Sequence, residues 1–237
     1  MPASRVRAEM TLLFTLFGNI VLALAPAARS QGPDRVLPNC LVSGRISDVG
    51  ATPYFSQDTE DATLLRILAC VGHGNREFFE FGAQDAMEVN TRLLREEFGW
   101  HGHYLDGGPS NPAINLHHAF FNSTNIVSLM QKYGVSQQLD LLSVDSDFDD
   151  LYLLREILLA GFRPRVLIVE FRSIFMAHQS FSVLAPRTLN DPRWGNDCYA
   201  GASALALTRL AGAFGYALVH AAGVNLFLVQ STVSALF

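Results

Sequence analysis

The chain has 237 residues, 49% hydrophobic and 16% charged, with a formal net charge of −5. These values fit one globular domain with a sizeable core better than two small ones. Lys132 is the sole lysine and no block of basic residues occurs, which argues against a nucleic-acid footprint.

Residues 1–30 read as a targeting segment. Arg5 and Arg7 precede a nearly all-apolar run from Met10 to Ala25, and Ala25-Pro26-Ala27 offers a small-residue cleavage pattern. This predicts a signal peptide, or a signal anchor if it stays uncleaved, although the run is slightly short of the ~20 residues that span a bilayer. The expected location is the secretory pathway or outside the cell, with membrane contact only through an uncleaved segment. Three cysteines, Cys40, Cys70 and Cys198, permit at most one internal disulfide. Cys40–Cys70 would tie the N-terminal arm to the domain, but the sequence does not settle the pairing. No cysteine or histidine spacing suggests zinc, and no metal ligand set is assigned. Asn122-Ser123-Thr124 is a glycosylation sequon, usable only in a secretory protein.

Residues 31–60 are punctuated by Pro33, Pro38, Gly44, Gly50 and Pro53 and read as an irregular arm. Residues 61–237 read as the domain. Leu64, Leu65, Ile67, Leu68 and Val71 recur at helical spacing, and Gly72-His73-Gly74 stops that helix. A short apolar strand follows, Phe78–Phe81, then a helix predicted from Met87 to Phe98. One phrase then repeats: a helical pattern ends at glycine and a strand pattern begins. Gly99, Gly134, Gly161 and Gly215 precede strands at 100–106, 141–144, 166–169 and 216–220. A further strand is expected at His118–Asn122, and helices at 125–133, 151–159 and 203–214. Strands alternating with helices imply βαβ units and a mostly parallel sheet. The last two strands, 216–220 and 225–229, are joined too closely for a crossover, so they form an antiparallel hairpin. Ser173–Tyr199 has no clear period and lies just past a strand, the usual place for a lid or partner-binding loop. The predicted architecture is an α/β, Rossmann-like, seven-stranded sheet with helices on both faces.

In open α/β sheets ligands bind at the carboxyl ends of the strands. Glu80, Gly82 and Asp85 stand after the first strand, Asp106 after the second and Asn122 after the third. Asp145, Asp147, Asp149 and Asp150 follow the fourth, and Glu170 and Arg172 the fifth. Asp106 ends its strand about 20 residues past the glycine turn, where an acid accepts hydrogen bonds from ribose hydroxyls; a plain turn acid before Gly107-Gly108 is the competing reading. The segment Ser143–Asp150 allows three readings: a helix N-terminus capped by Asp149 or Asp150, a hard-cation site, or the Asp145-Ser146-Asp147 of a metal-dependent glycosyltransferase. His117 and His118 read as strand-edge residues, and Trp100 and Tyr104 as core or rim aromatics.

Taken in order, Phe79-Glu80-Phe81-Gly82-Ala83-Gln84-Asp85, Asn90-Thr91, Gly99-Trp100-His101-Gly102 with Asp106, Leu141–Asp147 and Val169-Glu170-Phe171 resemble the FkbM-like branch of class I S-adenosylmethionine-dependent methyltransferases, over about residues 60–230. The resemblance implies a seven-stranded sheet ending in an antiparallel hairpin, and S-adenosylmethionine as cofactor. It implies that Glu80 and Gly82 line the methionine part and that Asp106 binds the ribose. Asp85 and Asn122 are carried along as cofactor-side residues. The acceptor would be a hydroxyl on a small molecule or glycan, with Asp145 or Asp147 taking its proton. Three positions depart from the family pattern: Ala86 and Phe148 stand where glycine is usual, and Asp106 where glutamate is. Side chains at 86 and 148 that filled the cleft would make the chain a non-catalytic, methyltransferase-like interaction or trafficking protein.

Overall fold

The computed structural model describes residues 55–183 and 200–234. The targeting segment, most of the irregular arm and residues 184–199 of the expected lid lie outside this range. No helix among the described residues is long and apolar enough to cross a membrane. Cys70 is disulfide-bonded; Cys40, the partner considered from the sequence, lies outside the described residues.

The elements in chain order are α1 (Glu60–Val71), β1 (Glu77–Phe81), α2 (Arg92–Phe98), β2 (His101–Asp106), β3 (Leu116–His118) and α3 (Ile126–Lys132). Then come β4 (Leu141–Val144), α4 (Asp150–Leu159), β5 (Val166–Glu170), α5 (Ala204–Ala213), β6 (Tyr216–Ala222) and β7 (Asn225–Gln230). The seven strands form one sheet in the order β3-β2-β1-β4-β5-β7-β6. The first five run parallel, and β7 is antiparallel to both β5 and β6. The predicted Rossmann-like fold and its closing hairpin are therefore present. The glycines read as helix stops, Gly72, Gly99, Gly134, Gly161 and Gly215, all have positive φ.

Alternation along the strands builds two cores. Phe78, Tyr104, Leu141, Ile168 and Phe227 face α1 and α2, where Leu64, Ile67, Leu68, Leu93 and Leu94 cover them. Phe79, Phe81, Leu105, Leu142, Val144 and Val169 face the other way, under Ile126, Met130, Leu154, Ile157 and Leu207 of α3, α4 and α5. Strands β1, β4 and β5 are buried along their whole length, as continuous apolar strands covered on both faces require. Trp100 and Tyr104 belong to the core. His117 is an edge residue, stacked on Tyr133 with centroids 3.8 Å apart and hydrogen-bonded to His103.

Two elements differ from the sequence reading, and both differences shape the cleft. The helix expected from Met87 begins only at Arg92. Its expected first turns are held as loop by acids: Asp85 accepts from the Met87 amide at 3.0 Å, and Glu80 accepts from the amides of Asn90 and Thr91. The strand expected at His118–Asn122 is instead Leu116–His118. Asn125 pulls the following residues off the sheet, donating from Nδ2 to the Phe120 carbonyl and accepting from the Asn122 amide. The sequon is thus in a loop, with the Thr124 hydroxyl 2.6 Å from Asn122 Oδ1.

Candidate functional site

A cleft of about 390 Å³ opens at the carboxyl ends of β1, β2, β4 and β5. Gly82, Asp106, Asn122, Asp145 and Asp147 line it, so five of the seven residues expected from the sequence come together. Glu80 lies one step below, in the wall of a smaller polar pocket that shares Gln57, Gly82, Gln84 and Asp145 with the cleft. Asp85 is absent from both linings; it is exposed, and its carboxylate closes its own turn onto the Met87 amide.

The turn after β1 is set by backbone contact. Gly82 has φ +75°, and a Cβ on it would sit 2.0 Å from the Asp145 carbonyl oxygen. The glycine therefore serves the approach of two chain segments, β1 and β4, whereas the sequence reading gave it to the approach of a ligand. Ala86 adopts φ +58° and is completely buried. Its methyl packs in the core beside Phe78, Ala83 and Val89, and it lines neither pocket. Of the two side chains that the sequence resemblance singled out as departures, Ala86 thus leaves the cleft free, while Phe148 lines it.

Ala86→Gly should have little net effect on stability. Removing the left-handed strain gains roughly 1–2 kcal/mol. Losing a buried methyl and freeing the unfolded chain return about the same. The expected result is a change within about 1 kcal/mol in chemical denaturation and an unchanged affinity for any cleft ligand. A clear gain in affinity would place the methyl in the ligand's path after all.

Asp106 is held ready rather than left loose. Its Oδ2 accepts from the Gln84 amide at 2.9 Å and its Oδ1 from the Gly108 amide at 2.6 Å. Each oxygen keeps a second lone pair for a ligand hydroxyl. The end of β2, the β1 turn and the glycine pair 107–108 are thereby fixed around one carboxylate. Across the cleft, Phe120, Phe121 and Leu153 supply apolar wall.

The acidic rim is the other half of the site. The Asp145, Asp147 and Glu170 carboxylates each place an oxygen within 4.8 Å of the others. Burial, and then the Asp147 charge, push Asp145 above the usual carboxylate range, while Glu170 hydrogen-bonds to it. Burial together with the charges of Asp145 and Asp150 raises Glu170 as well. Asp150 is pushed up to about 7 by burial and by Asp145. It nevertheless serves the fold. Its Oδ1 accepts from the Ser146 amide and hydroxyl at 2.7 and 3.0 Å, closing the turn into α4. Asp149 stands at the N-cap of α4 but makes no side-chain capping bond, so the capping expected from the sequence is replaced by this bond from Asp150 to the preceding turn. Asp145, at the strand end, is left facing the cleft.

Glu170, Gln57 and Asn225 were not selected as site residues from the sequence. Glu170 stood among the strand-end acids and in the Val169-Glu170-Phe171 motif, but no role was assigned to it. Gln57 sits in the irregular arm, where no periodicity marks it. Asn225 opens β7 directly opposite Glu170 in the antiparallel ladder; its signal was a polar residue at the head of an otherwise apolar strand.

No protein-family model, no curated protein and no solved structure matches the chain. The class that fold and site define is a Rossmann-like α/β protein with an acid-lined cleft at the carboxyl edge of its sheet.

Proposed function

We propose that the protein is an S-adenosylmethionine-dependent methyltransferase of FkbM type that O-methylates a hydroxyl acceptor. The observation that carries this reading is the pairing, across one cleft, of a pre-oriented acid at the end of β2 with an acid of raised proton affinity at the end of β4. Asp106 suits the two ribose hydroxyls, which donate to its remaining lone pairs. Gly82 and Glu80 place the methionine part toward the small polar pocket, with Asn122 and the aromatic wall beside the nucleoside. The acceptor oxygen attacks the sulfonium methyl in line. The C–O bond forms as the C–S bond breaks, sulfur keeps the electron pair, and the hydroxyl proton passes to a carboxylate at the rim. Asp145 is the better placed for that proton, because a raised pKa makes a stronger base; Asp147 is more exposed.

The second reading, a methyltransferase-like interaction or trafficking protein without catalysis, is favoured by one observation: Phe148 occupies part of the cleft lining where the family has glycine. Isothermal titration with S-adenosylmethionine separates the two. The expected result is one donor molecule bound per chain, with binding lost in Asp106→Ala while the fold is retained. Absence of both heat and a thermal shift at millimolar donor would sink the enzyme reading. The acceptor, a small hydroxyl compound or a glycan, and the secretory location remain part of the same proposal.

A further inference from the structure

Asn122-Ser123-Thr124 is the only Asn-x-Ser/Thr triplet in the chain, so an N-linked glycan would have a single address. The fold puts that address on the wall of the cleft, beside Phe120 and Phe121 and in the same lining as Asp106 and Asp145. The backbone there is pinned. The Asn122 amide donates to Asn125 Oδ1 at 2.8 Å, and the Asn122 carbonyl accepts from the Asn125 and Ile126 amides at 3.2 and 3.0 Å. The side-chain oxygen is also taken: Oδ1 accepts from the Thr124 amide at 2.8 Å and from the Thr124 hydroxyl at 2.6 Å. The other branch, Nδ2, has no hydrogen-bond partner among the described residues and is not shut away from solvent. Substitution at that nitrogen therefore breaks no bond that the fold makes.

We propose that Asn122 carries an N-linked glycan in the secretory pathway, and that its first sugar lies in the cleft and excludes the methyl donor. The modification rests on the secretory location, and the exclusion of the donor on the methyltransferase reading. The co-reactant is a lipid-linked oligosaccharyl diphosphate. Asn122 Nδ2 attacks the anomeric carbon of the first sugar. The C–N bond forms as the C–O bond to the diphosphate breaks, the diphosphate keeps the electron pair, and Nδ2 gives up a proton. The cleft suits the sugar that results. Phe120 and Phe121 offer apolar surface to its C–H groups. Asp106 keeps a second lone pair on each oxygen for a hydroxyl. Those are the lone pairs that a donor ribose needs, so sugar and donor compete for one set of acceptors in a space of about 390 Å³. One chain then exists in two forms, unmodified with the cleft open and glycosylated with the cleft filled.

The test translates the full chain in the presence of endoplasmic-reticulum vesicles. Protection from added protease reports entry, and loss of mass on treatment with a peptide N-glycosidase reports the glycan. The expected result is entry with one glycan per chain, and entry without it in Thr124→Ala. A wild-type chain that enters unmodified would overturn the proposal. A chain that does not enter overturns it as well, and the protease arm marks that failure as one of location. For the cleft, the glycosylated chain is compared with the same sequence made while lipid-linked sugar synthesis is inhibited. Amide exchange at Gln84 and Gly108, the two donors to Asp106, should slow in the glycosylated form. S-adenosylmethionine binding should be lost in that form alone. Equal exchange in the two forms, or donor binding of equal affinity, would show the sugar standing clear of the cleft and overturn the exclusion. If neither form binds the donor, the methyltransferase reading falls, while exchange still decides where the sugar lies.

Discussion

Gly82→Ala is expected to cost the protein several kcal/mol and to spread the cleft apart. Two independent penalties meet at this position. At φ +75° a side chain of L configuration is strained by roughly 1–2 kcal/mol. The added Cβ would also lie 2.0 Å from the Asp145 carbonyl oxygen and 3.0 Å from its carbon, where backbone on both sides leaves no flexible end to yield. Overpacking of this kind typically adds about 1–3 kcal/mol or more. Set against a total stability of about 5–15 kcal/mol, the sum is a large fraction. For a domain of this size it corresponds to a drop in melting temperature on the order of 10 °C. The relief available is a separation of β1 from the end of β4, which would shift Asp145 away from Asp106. Donor affinity should therefore fall even at temperatures where Gly82→Ala is folded. A variant with wild-type melting and wild-type affinity would show that the close approach of the two strands is not what holds the site.

The same glycine shows how far the sequence can be read. Its position, between an apolar strand and a helical pattern, marked the turn correctly. Its reason was hidden, because the partner is a backbone carbonyl 63 residues later in the chain, and nothing in local sequence announces a backbone contact. The alternation of strands with helices and the hairpin were legible from the regular glycine stops and the short 221–224 connection. The start of α2 was not, since its apolar spacing continues upstream through Val89. Buried Glu80 and exposed Asp85 override that spacing by taking amide protons that a helix would otherwise direct into its own turns. The third strand was misplaced for a related reason: Asn125 captures the backbone of 120–122, and a side chain that bonds backbone three to five residues away is invisible to a period-two pattern. Among the site residues, strand-end acids were found because the fold class predicts where to look. Asn225 and Gln57 come from a hairpin start and an irregular arm, and topology alone brings them to the cleft.

Glu80→Gln should destabilise the protein by about 1–3 kcal/mol, and Glu80→Ala by more. Glu80 is buried at the heart of the sheet face that carries α1 and α2, on the same side as Phe78. Its Oε1 accepts from the Asn90 amide at 3.0 Å, and its Oε2 from the Thr91 amide and hydroxyl at 3.1 and 2.6 Å. The Thr91 hydroxyl proton is spent on Glu80, so the Tyr104 hydroxyl donates to Thr91, at 3.0 Å. Asn90 continues the chain to Ser143 on β4 at 3.1 Å. One carboxylate therefore fastens the loop before α2 to three adjacent strands. Burial outweighs these bonds and raises the Glu80 pKa. The sign follows: its contribution is complete below the unfolded value near 4.5 and declines as pH rises through the raised folded value. Glutamine removes the charge but turns one acceptor into a donor that must face an amide proton, which leaves a buried group unmatched. Urea denaturation at neutral pH measures the loss, and donor titration under folding conditions measures the site. If Glu80→Gln is as stable as wild type yet fails to bind the donor, the carboxylate serves the ligand directly. If stability falls first and affinity follows only with unfolding, Glu80 acts by holding Asn90 and Thr91 in place beneath the cleft.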